Sequence, residues 1–96
     1  MTPAAFRLTL TDKTPPRGAS AALQALWWAK QGDWDKAHRL VMGEPGPDAA
    51  HVHAYLHRVE GDLGNAGYWY RQARKPACVE ALDAEWNSIV DELLVR

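Results

Sequence analysis

From residue 19 onward, apolar positions recur every three or four residues, and the breaks between runs fall at Gly, Asp and Pro. That spacing is helical. In 19–31, Leu23, Leu26 and Trp27 share a side with Lys30. Trp34, Ala37, His38 and Val41 form one face of 34–42, and Ala66, Trp69, Tyr70 and Ala73 one face of 63–74. In 49–60 the stripe centres on Val52, Leu56 and Val59 and runs on to Leu63, and in 84–95 it is Trp86, Ile89, Val90 and Leu93. Gly32 and Gly61 stand where a glycine commonly closes a helix. Asp33, Asp48, Asp62 and Asp83 stand where an aspartate caps the next one. GEPGPD (43–48) is a loop, and KPACVEAL (75–82) a connection. Residues 6–11, FRLTLT, break the rule: Phe6, Leu8 and Leu10 alternate with polar residues, which predicts a short strand. DKTPPRG (12–18) is punctuated as a turn or linker. The expected fold is all-α: about five short helices within 19–96, behind an extended N-terminal arm over 1–18. Short links imply antiparallel neighbours.

The helix–Gly–Asp–helix unit occurs twice. ALWWAKQGDWDKAHRLV (25–41) aligns without a gap on AYLHRVEGDLGNAGYWY (54–70), an offset of 29 residues. Ala25 matches Ala54, Gly32 matches Gly61, Asp33 matches Asp62, and Ala37 matches Ala66. Self-similarity at this period signals stacked helical hairpins. The second half of the unit, GDLGNAGYWYRQA (61–73), resembles that of a tetratricopeptide repeat through Gly61, Asp62, Leu63, Ala66, Tyr70 and Ala73. The first copy resembles it through Gly32, Asp33, Trp34, Ala37 and Val41, with Trp28 four before the glycine. The chain departs from that family in its period, 29 against 34, and in having two units. The resemblance implies two stacked hairpins, about 19–47 and 48–76, with a capping helix at about 83–95. It also implies a concave face that binds a protein or peptide. Carried over by position, that face holds His51, Tyr55, Arg58 and Val59, with Ala22, Leu26 and Lys30 from the first unit. The whole chain is similar to small bacterial proteins, a likeness that implies no activity.

Composition narrows the partners. Forty-seven per cent of the 96 residues are hydrophobic, enough for a folded domain with a modest core. Net charge is −1, and neither half concentrates the positive charge that nucleic-acid binding requires. No apolar run approaches a membrane span. Cys78 is the only cysteine, which excludes an intrachain disulfide. With no basic start and apolar stretch at the N-terminus, the expectation is a cytoplasmic protein with neither nucleic acid nor membrane as partner.

The candidate chemistry lies in HVHAYLHRVEGD (51–62). His53 and His57 are four apart and Glu60 follows three later, so the three share a helical stripe. Neutral imidazoles suit divalent transition metals, and His38 or Asp62 would supply a further ligand. Against this, His57 is the repeat equivalent of Trp28, and both histidines fall at packing positions, so packing is set ahead of ligation. Trp28 points about 100° away from Trp27 on a helix, and Tyr68 points away from the Ala66/Tyr70 face. Either would serve a contact surface if exposed. Cys78, Ser20 and Ser88 lie in no nucleophile motif. Asp83, Glu85, Asp91 and Glu92 read as a solvated acidic face. The expected function is therefore a non-enzymatic interaction or adaptor module without a cofactor, whose partner is a protein, a peptide or a second copy of the chain. The alternative is a metal- or small-ligand-binding protein, with hydrolysis among its chemistries, centred on His53, His57 and Glu60.

Overall fold

The computed structural model describes residues 1–95. Six α-helices run in order: α1 (Pro3–Leu8), α2 (Ala21–Lys30), α3 (Trp34–Val41), α4 (Pro47–Glu60), α5 (Leu63–Ala73) and α6 (Leu82–Val95), with a 3₁₀ turn at Thr9–Thr11. The all-α expectation holds, and the strand does not form among the described residues. Thr2 Oγ1 accepts the Ala5 N–H at 3.0 Å and Pro3 occupies the first helical turn. A capping threonine followed by proline starts a helix. Only Phe6 of the alternating residues is buried; Leu8 is 78% exposed, so no sheet face exists to pair. Nor is the arm extended. Phe6 joins the main core, and Arg7 donates to Asn87 Oδ1 at 2.8 Å and to Asp91 Oδ1 at 2.6 Å on α6.

The two Gly-Asp turns are near copies. Gly32 and Gly61 take φ of +86° and +85°, and the aspartates that follow have φ, ψ of −97°, 77° and −89°, 80°. The Asp33 N–H donates to the Trp28 carbonyl at 3.0 Å and the Asp62 N–H to the His57 carbonyl at 2.9 Å. Each aspartate Oδ1 then accepts the N–H three residues on, from Lys36 or Asn65, at 3.1 Å. A Cβ at Gly61 would meet nothing within 4 Å, so the cost of adding one is purely conformational. Gly61→Ala is expected to lower stability by about 1–2 kcal/mol through its left-handed backbone, read from urea denaturation; an unchanged midpoint would remove the turn's conformational demand as the reason for glycine.

These turns fold α2 against α3 and α4 against α5, and the hairpins meet through α2, α3 and α4. All four repeat-matched alanines (Ala25, Ala54, Ala37, Ala66) are buried, which lets the helices come close. Trp34 Nε1 donates to the Leu56 carbonyl at 2.7 Å and fixes α3 on α4. Two caps differ from expectation. Pro47, with its fixed φ, opens α4 behind Gly46 (φ 102°), so Asp48 lies in the first turn rather than at the cap. Helix α6 opens at Leu82, and Asp83 pairs with Lys30 at 2.9 Å.

Helix α6 packs on α1, α2 and α4. Trp86, 1% exposed, donates its indole N–H to the Leu26 carbonyl at 2.8 Å, and its ring faces Phe6 at 6.1 Å. Ile89 and Val90 complete this contact. Val59 and Leu63, expected on the buried stripe of α4, are 41% and 70% exposed, because the stripe leaves the core where the chain turns at Gly61. Among the described residues no helix is long and apolar enough to cross a membrane.

Candidate metal centre

Helix α4 carries His53 and His57 one turn apart, and α3 brings His38 onto them from the other hairpin. The Nε2 atoms of His38 and His53 are 3.0 Å apart. His57 Nδ1 lies 2.6 Å from Glu60 Oε1. One ligand atom from each of the three histidines falls within 4.8 Å of the other two. Indoles form the walls: Trp69 stacks on His53 at 3.9 Å and Trp34 on His38 at 4.7 Å. His53 and His57 are buried and His38 is half-buried.

The hydrogen bonding of this cluster is incomplete. His53 Nδ1 is buried without a partner. If His53 Nε2–H donates to His38, Nδ1 is a bare acceptor; if His53 Nε2 accepts, Nδ1–H is a donor with nothing to bond. Either tautomer leaves a buried polar atom unsatisfied, which is uncommon. Glu60 fixes the tautomer of His57 by accepting its Nδ1–H, which frees Nε2 as a lone-pair donor. A carboxylate behind a histidine is the usual support of a metal-bound imidazole.

Burial lowers the basicity of His53, and the His38 and His57 rings add to it, so its pKa is pushed down to about 4. Burial and His57 also lower His38, against the pull of Glu60 and Asp35. Both shifts favour the neutral ring at His53 and His38, the form a metal needs. A sign follows for stability. Unfolded His53 titrates near 6.5 and folded His53 near 4, so between those values the unfolded chain holds more protons. Metal-free protein is therefore expected to lose roughly 2–3 kcal/mol as pH falls through that window. His53→Gln should flatten the loss in urea titrations at several pH values; equal slopes for both proteins would contradict it.

The residues expected to line a concave binding face lie elsewhere than in an open groove. Ala22, Leu26 and Tyr55 are buried. Lys30 pairs with Asp83, and Arg58 Nη1 donates to Glu85 Oε1 at 2.6 Å. His51 Nε2 stands 3.8 Å from Glu85 Oε2. The occupant of this face is α6. Val59 and Tyr68 are exposed, the latter edge-on to Trp69 at 5.1 Å. Trp28 is half-buried, with Lys36 Nζ 4.0 Å from its ring centroid.

The acidic face of α6 is solvated at Asp83 and Asp91, whose side chains are 86% and 55% exposed, but not at Glu85. Asp83, Glu85, Asp91 and Glu92 pair with Lys30, Arg58, Arg7 and Lys75. Glu85 is 3% exposed, and its second oxygen accepts the Tyr70 hydroxyl at 2.5 Å. Burial works to raise its carboxyl, but His51, Tyr70 and Arg58 together outweigh it and hold the group below its ordinary value. A signal for this was present: Glu85 stands four before Ile89, inside the apolar stripe of α6, and a carboxylate there requires a partner.

No protein-family profile, no curated protein and no solved structure matches the chain.

Proposed function

We propose that this protein binds one divalent transition metal ion through His38, His53 and His57, with Glu60 orienting His57. The observation that carries the reading is the convergence of three imidazoles from two hairpins, with one ligand atom of each within 4.8 Å of the other two. Nitrogen ligands of tetrahedral zinc lie about 3.4 Å apart, given bonds of about 2.1 Å. The 3.0 Å between His38 and His53 Nε2 is tenths of an ångström short of that spacing, and the His57 ligand atom lies within 4.8 Å of both rings' ligand atoms. Zinc, cobalt, nickel and copper all suit such donors.

The paired hairpins resemble tetratricopeptide units, and in that reading α6 is the capping helix. An adaptor role has the narrower support of the two, since the face such units turn to a peptide is filled here by the chain's own α6. We therefore put the metal centre first.

The test is calorimetry with zinc on protein purified without a histidine tag and stripped by chelator. About one equivalent should bind, and the melting temperature should rise with free zinc, as mass action requires. His38→Ala and His53→Ala should each abolish uptake. Absence of zinc, cobalt and nickel binding, or binding that survives the double variant, would reject the centre.

A further inference from the structure

On the reading that a metal sits at His38, His53 and His57, we infer that the centre is open: the ion keeps one coordination position for a small exogenous anion. Structural zinc sites close with four protein ligands, whereas three protein ligands leave a place for water or substrate. Here the protein supplies three. Among the described residues, no further His, Cys, Asp or Glu places a ligand atom in the 4.8 Å group formed by the three rings.

The nearest carboxylates are committed to other work. Glu60 Oε1 accepts from His57 Nδ1 at 2.6 Å. Asp62 Oδ1 accepts the Asn65 N–H and Oδ2 the Asn65 side-chain amide, both at 3.1 Å, and so caps α5. His57, Glu60 and Asp62 form a second three-ligand group, but one whose two carboxylates are exposed and which gains a metal only by giving up that cap. Cys78 packs with Ala54, Ala66 and Tyr70 in a separate cluster.

Charge and size decide what fills the open position. Three neutral imidazoles leave the ion's two positive charges uncancelled by its own ligands, in a site walled by indoles with the Glu60 and Asp62 carboxylates outside the ligand set. Buried charge seeks a counter-charge, so the ligand is an anion. None of three surface cavities of about 420–460 Å³ is lined by His38, His53 or His57. One of them is lined by Trp69, the ring that stacks on His53, and another by Arg39, next to His38. With His53 and His57 buried, His38 half-buried and Glu60 exposed, the ligand that suits the open position is one of a few atoms, of the size of hydroxide, azide or bicarbonate.

The probes are cobalt(II) and azide. Untagged, chelator-stripped protein is loaded with cobalt, and its visible absorption is followed as azide is added. The expected result is a saturable, single-site shift of the cobalt bands, with the metal retained. Cobalt bands that azide leaves unmoved would overturn the open site while leaving the metal site standing. Failure to take up cobalt or zinc would instead reject the metal reading itself. Glu60→Gln separates a hidden fourth ligand from a supporting carboxylate. A cobalt centre that responds to azide only in the Glu60→Gln variant would place Glu60 on the metal and overturn the inference. An equal response in both proteins supports it.

Discussion

Replacing Glu85 with alanine should remove about 3 kcal/mol of stability, the lower end of what breaking a buried ion pair costs. The lower end applies because Arg58 keeps some contact with water: its side chain is 14% exposed, and its second nitrogen still bonds to the Glu80 carbonyl. What the substitution strands is a guanidinium and the Tyr70 hydroxyl, both of which depend on the Glu85 carboxylate. A chain of this size has on the order of 5–14 kcal/mol in total, so the variant loses a large share of it. The melting temperature should fall by roughly 12–24 °C. The double variant Glu85→Leu/Arg58→Leu should recover much of the loss, since apolar replacement of a buried pair is often neutral. Urea denaturation of the three proteins decides. A single-variant loss under about 1 kcal/mol would mean that the pair is solvated in solution.

Trp86→Ala should cost a comparable 3–5 kcal/mol, from lost burial and the cavity left behind. Its ring fills the space between Phe6 and α2, and Lys30 Nζ lies 4.6 Å from its centroid. Trp86→Phe separates packing from bonding. Phenylalanine retains most of the apolar contact but not the N–H to the Leu26 carbonyl, so a loss of about 1 kcal/mol is expected. Cleavage within 74–81 under limited proteolysis should accelerate in the alanine variant, as α6 is the element released. Proteolysis at the wild-type rate, in a variant that still folds, would show that α6 is held chiefly by its ion pairs.

Local chemistry carried much of this architecture in plain view. The Gly-Asp turns, the four alanines and the apolar faces of α2, α3, α5 and α6 follow from spacing that neighbouring residues enforce. The N-terminus misled because alternation over six residues weighs little beside Thr2-Pro3, which starts a helix by itself. The centre was visible in part. His53 and His57 share a face of α4 whatever else the chain does, and Glu60 follows one turn later. That His38 joins His53 and His57 depends on how α3 crosses α4, where Trp34 bonds to the Leu56 carbonyl and the small Ala37 is buried. Glu85 looked like one more charge on a polar helix. Its burial comes from the arrival of α4 and α5 beside it, 15 to 27 residues away in sequence.

The position of α6 also orders events during synthesis. The ribosome makes α2 and α4 well before the residues that cover them. At about 5–20 residues per second, the 35 residues from the end of α4 to Val95 take on the order of 2–7 s. Helical hairpins form far faster than that. Phe6, Leu26 and Tyr55 therefore wait on the nascent chain with their covering helix still unmade, in the interval when a holding chaperone has most to grip.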